Sequence, residues 1–259
     1  MKPKKTGIPT FNIHGVWLEK ESHRYFDPEG NQYLSVSKLI ELHSPPFEKE
    51  QISRKTAVNQ LTAEGKSLSQ KNILERQQEI QSSWKATTDS AIDDGNRFHK
   101  AMEDLISTGR YTDPEWKELC QIIYGTYLAQ FYRTYAEQIV ADKDSRVAGT
   151  MDVPAIHSSK QKDLVHIRDF KSNKKGITNN EEYIKWMLPP FDYLPANKYT
   201  KYALQQSLYA AMLMKSGFRI GSISLIWVNV HEKKHREIFI PFMYEEAKKL
   251  LQLAKTIQL

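Results

Sequence analysis

The 259 residues are 40% hydrophobic and 26% charged, which describes an ordinary folded chain rather than a fibrous or disordered one. No run approaches the roughly 20 apolar residues a membrane helix needs. The single cysteine, Cys120, leaves no internal disulfide and excludes an iron–sulfur cluster, which takes about four thiolates. Lysine and arginine number 37 against 31 acids, a net charge of +6; this suits a polyanionic partner but equally serves solubility. The basic start, Met1 to Gly7, is followed by no apolar core, so no secretory signal is expected there. The expectation is a protein without membrane segments in the cytoplasm of a bacterial or phage-infected cell.

In chain order, Val16–Glu19 and Gln32–Ser35 flank the turn-rich Asp27-Pro28-Glu29-Gly30-Asn31 and predict a hairpin. Ser35 or Ser37 is placed to cap a short helix that Pro45-Pro46 stops. Residues 47–60 and 70–84 read as polar helices, followed by firmer helices over 88–107 and 115–136. The period then changes. Residues 139–141, 147–156 and 164–170 are short β-rich runs and predict a three-stranded meander. An aromatic and proline-rich connection, 183–199, leads to a helix over 199–216, strands at 222–230 and 237–242, and a closing helix from Tyr244. This is an α/β order, with strands 164–170 and 222–230 parallel across a helical crossover. The whole chain is read as one domain, residues 1–87 elaborating a core of 88–259.

Asp169-Phe170-Lys171 is the centre of the chemistry. Residues two apart on a strand share a face, so Asp169 and Lys171 point together while Phe170 turns into the core. Asp152, in Gly149-Thr150-Met151-Asp152, brings a second carboxylate on the neighbouring strand. Two carboxylates converging beside a lysine make a site for a divalent cation, because magnesium prefers oxygen ligands and completes its shell with water and phosphate. Two helix faces border the site: Gly95, His99 and Glu103 at i, i+4 and i+8, and Tyr202, Gln205 and Tyr209 at i, i+3 and i+7.

The series Gly-x-x-x-His (95–99), Gly-x-x-Asp (149–152), Asp-x-Lys (169–171) and Gln-x-x-x-Tyr (205–209) resembles the RecB-type branch of the PD-(D/E)xK nucleases. Phage exonucleases are the nearer likeness and mitochondrial genome-maintenance exonucleases the more distant one. The resemblance spans roughly residues 90 to 230, and the segment Tyr33-Leu34-Ser35-Val36-Ser37 is also similar to phage members. It implies a restriction-endonuclease-like core, a mixed sheet flanked by helices, and Mg2+- or Mn2+-dependent cleavage of DNA in repair, recombination or phage DNA processing. It further implies that His99, Asp152, Asp169 and the backbone carbonyl of Phe170 ligate the metal. Lys171 would act on the attacking water, with Gln205 and Tyr209 positioning substrate or lysine.

Each residue also has a plainer reading. Asp169 and Lys171 are open to reading as a surface pair, Asp152 as a turn cap, His99 as a core histidine, and Tyr202 and Tyr209 as helix packing. Glu103 and Glu137 stand between outer contacts of the metal site and solvated helix charges. Lys160, Lys162, Lys174 and Lys175 flank the Asp169 strand and either track a phosphate backbone or form a solvated face. The connection containing Trp186 and Phe191 is either a loop packed on the body or a wall for unpaired bases. Exonuclease action on single-stranded or free DNA ends is the favoured expectation. An endonuclease of the same fold and an inactive DNA-binding module are the alternatives.

Overall fold

The computed structural model describes residues 10–172, 176–177 and 185–257. The chain forms two compact units, one of residues 46–96 and one that joins 1–45 to 97–259. In the smaller unit, helix α2 (Lys49–Ala63) packs on the first part of helix α3 (Gln70–Thr108). Ala57 and Leu61 meet Ile73 and Ile80 in a small apolar seam. Around it Gln77 and Gln81 both donate to Glu50, at 2.8 and 2.9 Å, and Arg76 pairs with Glu64 at 2.7 Å. The two helices expected over 70–84 and 88–107 are one, because residues 85–87 carry neither proline nor glycine to interrupt the hydrogen-bond ladder.

The larger unit opens with strands β1 (Trp17–Glu19), β2 (Arg24–Phe26) and β3 (Gln32–Ser35). The hairpin expected between the first and third of these has an extra strand between its arms. Asp27 holds the predicted turn through the Asn31 amide at 2.8 Å, and Gly30 supplies a φ of +82°. Ser35 caps α1 (Val36–Leu42) through the Lys38 amide, which leaves Ser37 on the helix. The long helix expected over 115–136 stops early: α4 (Lys117–Ile123) passes into a π-helical turn at Tyr124–Leu128, after which the chain extends into β4 (Arg133–Thr134).

Strands β5 (Gln138–Asp142), β6 (Val147–Met151), β7 (Val153–Ile156) and β8 (Leu164–Ser172) follow, then α5 (Lys198–Lys215), β9 (Arg219–Asn229), β10 (Lys234–Phe239) and α6 (Tyr244–Ala254). They build two five-stranded mixed sheets, ordered β1-β2-β3-β6-β5 and β10-β9-β8-β7-β4. The pairs β3–β6 and β8–β9 are parallel, the latter joined through α5, and the remaining pairs antiparallel. The α/β class and the parallel pairing read from sequence are therefore present. The expected meander is not one sheet: the run 147–156 divides at Asp152, with β6 in the first sheet and β7 in the second.

Alternation along β8 sorts its side chains between two cores. Val165 and Ile167 join Ile223, Leu225 and the buried faces of α1, α5 and α6. Phe170 joins Ile226 and Val228 against Phe98 and Met102 of α3 and Leu119 of α4. Helices thus cover both faces of the second sheet, and Asp152 lies where the two sheets part. Among the described residues, no helix is long and apolar enough to cross a membrane.

Candidate metal centre

Asp152 is held from two sides. Its Oδ2 accepts the Phe170 amide at 2.8 Å, so a side chain replaces the strand partner that the sheet lacks at this point. Its carbonyl accepts the Glu137 amide at 3.0 Å. Glu137 sits between β4 and β5 with φ at +51°, the left-handed region that a residue with a Cβ enters at a cost. That backbone turn brings its carboxylate to Asp152. His99, on α3, reaches in from the opposite side with Nδ1 at 3.4 Å from Asp152 Oδ2. Edge-on contacts with Phe170 at 5.9 Å and Phe98 at 6.2 Å fix its ring.

The ligand atoms of His99, Glu137 and Asp152 all lie within 4.8 Å of one another. Two carboxylates and an imidazole at this spacing can hold a divalent ion, and the mixed set suits manganese as well as magnesium. The electrostatics agree. Although Glu137 is exposed as a residue, its carboxyl points among other acids, and lost solvation with the charges of Asp152, Glu103 and Asp169 pushes its pKa up to about 8. Negative charge is concentrated here with too few cations to balance it. Glu103 lies one turn beyond His99 on α3 and pairs with Lys100 at 2.9 Å, so it adds field at Glu137 rather than a ligand.

Asp169 is expected from sequence as a ligand, but its arrangement differs. It is buried, 2% exposed, and its Oδ2 is paired with the Lys171 ammonium. Burial, then the Asp152 charge, lifts its pKa above the usual carboxylate range, against the pull of Lys171 and His99. The trio within ligand distance contains Glu137 in its place. Lys171 is drawn down by burial but more strongly raised by Asp169 and Asp152, so it stays protonated. Its Nζ lies 4.7 Å from the centre of the Tyr202 ring, a cation over an aromatic face.

The face of α5 read from sequence completes the surroundings. Tyr209 is buried and packs on β6 at Gly149, where a Cβ would lie 2.5 Å from Tyr209 Cε1. The glycine of Gly-x-x-Asp is thus needed for room beside the carboxylate it precedes. Gln205 donates at 3.5 Å to Ser37 Oγ and, beside the Tyr209 hydroxyl, lowers a pKa that burial raises far more. One residue had no role in the sequence reading: Tyr25, on β2, bonds Thr150 Oγ1 at 2.9 Å and feels the charge of Glu137. The alternation Arg24-Tyr25-Phe26 was the available signal.

The expected nucleic-acid contacts fare differently. Lys160 and Lys162 are exposed in the turn before β8, at the opposite end of that strand from Lys171. Leu164 and Lys171 are seven steps apart along the strand, about 23 Å, so these lysines do not border the centre. Lys174 and Lys175 lie outside the described residues. Phe191 is fully buried against His43 and under Lys249 and offers no ring to a base. Leu188 N bonds His43 O at 2.8 Å and Tyr193 reaches Glu246 at 3.2 Å, so the connection is a packed loop. Trp186 alone of the two remains exposed.

No protein-family model and no curated protein matches the chain. Among solved structures, it is similar to a "putative exonuclease" from Eubacterium rectale, with 11% identity over 86% of this chain and 77% of the other and a TM-score of 0.36.

Proposed function

We propose that this protein is a divalent-metal-dependent deoxyribonuclease acting on DNA ends. The observation that carries the reading is the convergence of His99, Glu137 and Asp152 within 4.8 Å beside the buried Asp169–Lys171 pair. The resemblance of the motif series to RecB-type nucleases supports it. Those three residues, with Asp169 and the Phe170 carbonyl bordering them, would hold Mg2+ or Mn2+. Such an ion, when bound, supplies Lewis-acid polarisation of a phosphate and a more acidic bound water.

The protein's own groups do the rest. Lys171 keeps its proton and offsets charge building on the phosphate as the water oxygen bonds to phosphorus and the ester P–O bond breaks. Asp169 aims the ammonium by accepting from it, and the Tyr202 face keeps it from solvent. Tyr209 packs α5 on β6 at Gly149 and Gln205 ties it to Ser37 of α1, which keeps Tyr202 beside Lys171. The test is incubation with end-labelled linear DNA and covalently closed circular DNA, in Mn2+, Mg2+ or EDTA. Metal-dependent loss of the linear substrate alone is expected. Nicking of the circle would assign endonuclease action. Absence of cleavage by protein shown calorimetrically to bind Mn2+ would overturn the reading.

A further inference from the structure

Two hydroxyls that the proposed reaction does not use stand beside the candidate centre. Tyr25 lies on β2 and Thr150 on β6, and β3 runs between those strands. That is a span of about 10 Å, which the long tyrosine side chain bridges. Its hydroxyl meets Thr150 Oγ1 at 2.9 Å. Tyr25 is 7% exposed, and Thr150 is half-buried.

The pair adjoins the ligand trio. In the ladder between β5 and β6, Thr150 is opposite Ile139. The bond from the Glu137 amide to the Asp152 carbonyl, at 3.0 Å, continues that ladder two residues on. The electrostatics agree with this placement. Burial above all raises the Tyr25 pKa, its bond to Thr150 opposes the rise, and the Glu137 carboxylate adds to it. Tyr209 is raised by burial, then by Asp169, Tyr25 and Asp152, so the Tyr25 hydroxyl lies among the groups of the centre.

Two hydroxyls carry two protons between them. One proton makes the bond that joins them, and among the described residues neither oxygen has another hydrogen-bond partner. The second proton is left to donate, and the negative charge of Glu137 favours the orientation that points it at the acids. Three protein ligands leave positions around a divalent ion to be completed by water. We propose that Tyr25 is a positioning residue of the metal centre: it donates to Thr150, and Thr150, the more exposed of the two, donates onward to a water held by the ion. This inference rests on the metal-centre reading and adds to it a hydrogen bond from outside the ligand set. Such outer contacts are worth roughly 10–100-fold in metal affinity.

The experiment is calorimetric titration of Mn2+ into the DNA-free protein, for wild type, Tyr25→Phe, Thr150→Val, the double variant and Thr150→Ser. Thermal melting in EDTA reports the stability of each fold separately. Tyr25→Phe and Thr150→Val are each expected to weaken Mn2+ binding about tenfold. The double variant should be no weaker than either single one, because the pair offers one hydrogen bond. Thr150→Ser, which keeps the hydroxyl, should bind as wild type does. Unchanged Mn2+ affinity, with or without a lower melting temperature, would make the pair a packing contact and overturn the proposal. Additive losses, or a loss in Thr150→Ser, would overturn it as well. Wild-type protein that takes up no Mn2+ would remove the centre together with the pair. Mn2+ binding that depends on both hydroxyls in a protein that cuts no DNA would keep the pair and remove only the nuclease.

Discussion

Strand β8 buries a charged pair on each of its faces, and the two pairs are built for different ends. On one face Arg168, 3% exposed, lies with Nε 3.3 Å from Glu237 and its guanidinium 4.4 Å from the Phe131 ring centre. It also donates to Ser222 at 3.3 Å, and Ser224 donates to Glu237 at 2.6 Å. Every charge there is answered nearby, and burial lowers the arginine's pKa, with Glu237 the opposing influence. On the other face Asp169 and Lys171 pair more closely still, but Asp152, Glu137 and Glu103 crowd in from neighbouring elements. That face carries surplus negative charge against a single buried lysine. A balanced pair needs nothing further; an unbalanced cluster either takes up protons, as the raised Glu137 and Asp169 pKa values indicate, or can hold a cation.

The comparison is sharpest when each pair is removed. Lys171→Met should lower DNA cleavage about 100-fold or more, the scale of a lost charge-stabilising donor. Mn2+ affinity by calorimetry should stay within a few-fold, while Asp152→Asn should abolish it. Loss of metal binding in both variants would merge roles that are here separate.

On the Arg168 face the expected damage is to stability. Arg168→Met leaves Glu237 without its cation and should cost about 3 kcal/mol in urea unfolding. Adding Glu237→Leu should restore most of that, because two apolar side chains replace a pair that was costly to desolvate. Cleavage per folded molecule should change far less than in Lys171→Met. A double variant as unstable as the single one would mean that Arg168 is fixed by Phe131 and Ser222 rather than by Glu237.

Two glycines allow the close approaches on these faces: Gly149 under Tyr209, and Gly221, where a Cβ would come within 2.5 Å of the His166 ring. Gly149→Ala should cost about 1–3 kcal/mol by overpacking. Combined with Tyr209→Ala the losses should be less than additive, since the clash has gone. Additive losses would show that strand geometry, not the tyrosine, demands the glycine.

A further effect is on pH dependence. Burial, then the charges of Arg168 and His157, pushes the His166 pKa down to about 4. The unfolded chain takes up that proton near pH 6.5 and the folded protein only near 4. Between those values the unfolded state binds more protons, so stability falls as pH drops through that window and is unaffected by this group above it. His166→Asn should flatten that part of the stability–pH curve; an unchanged slope would assign it to other groups.

What was legible in the sequence follows periodicity and short range. The pairing of Asp169 with Lys171 on one face, the burial of Phe170, the helix of Tyr202 and Gln205 and the parallel partner of β8 all depend on spacing within one element or on a simple crossover. Cores bury what alternates, so these survive folding unchanged. Spacing does not reveal how one element ends against another. That Asp152 lies where one sheet gives way to the next, that Glu137 takes a left-handed backbone to meet it, that Phe191 is interior and that Tyr25 reaches Thr150 were decided by tertiary structure. Glu137 shows the reason. Its φ of +51° runs against the local preference of its residue type, and the contact that holds it, to Asp152, comes from the junction of two strands 15 positions further along the chain.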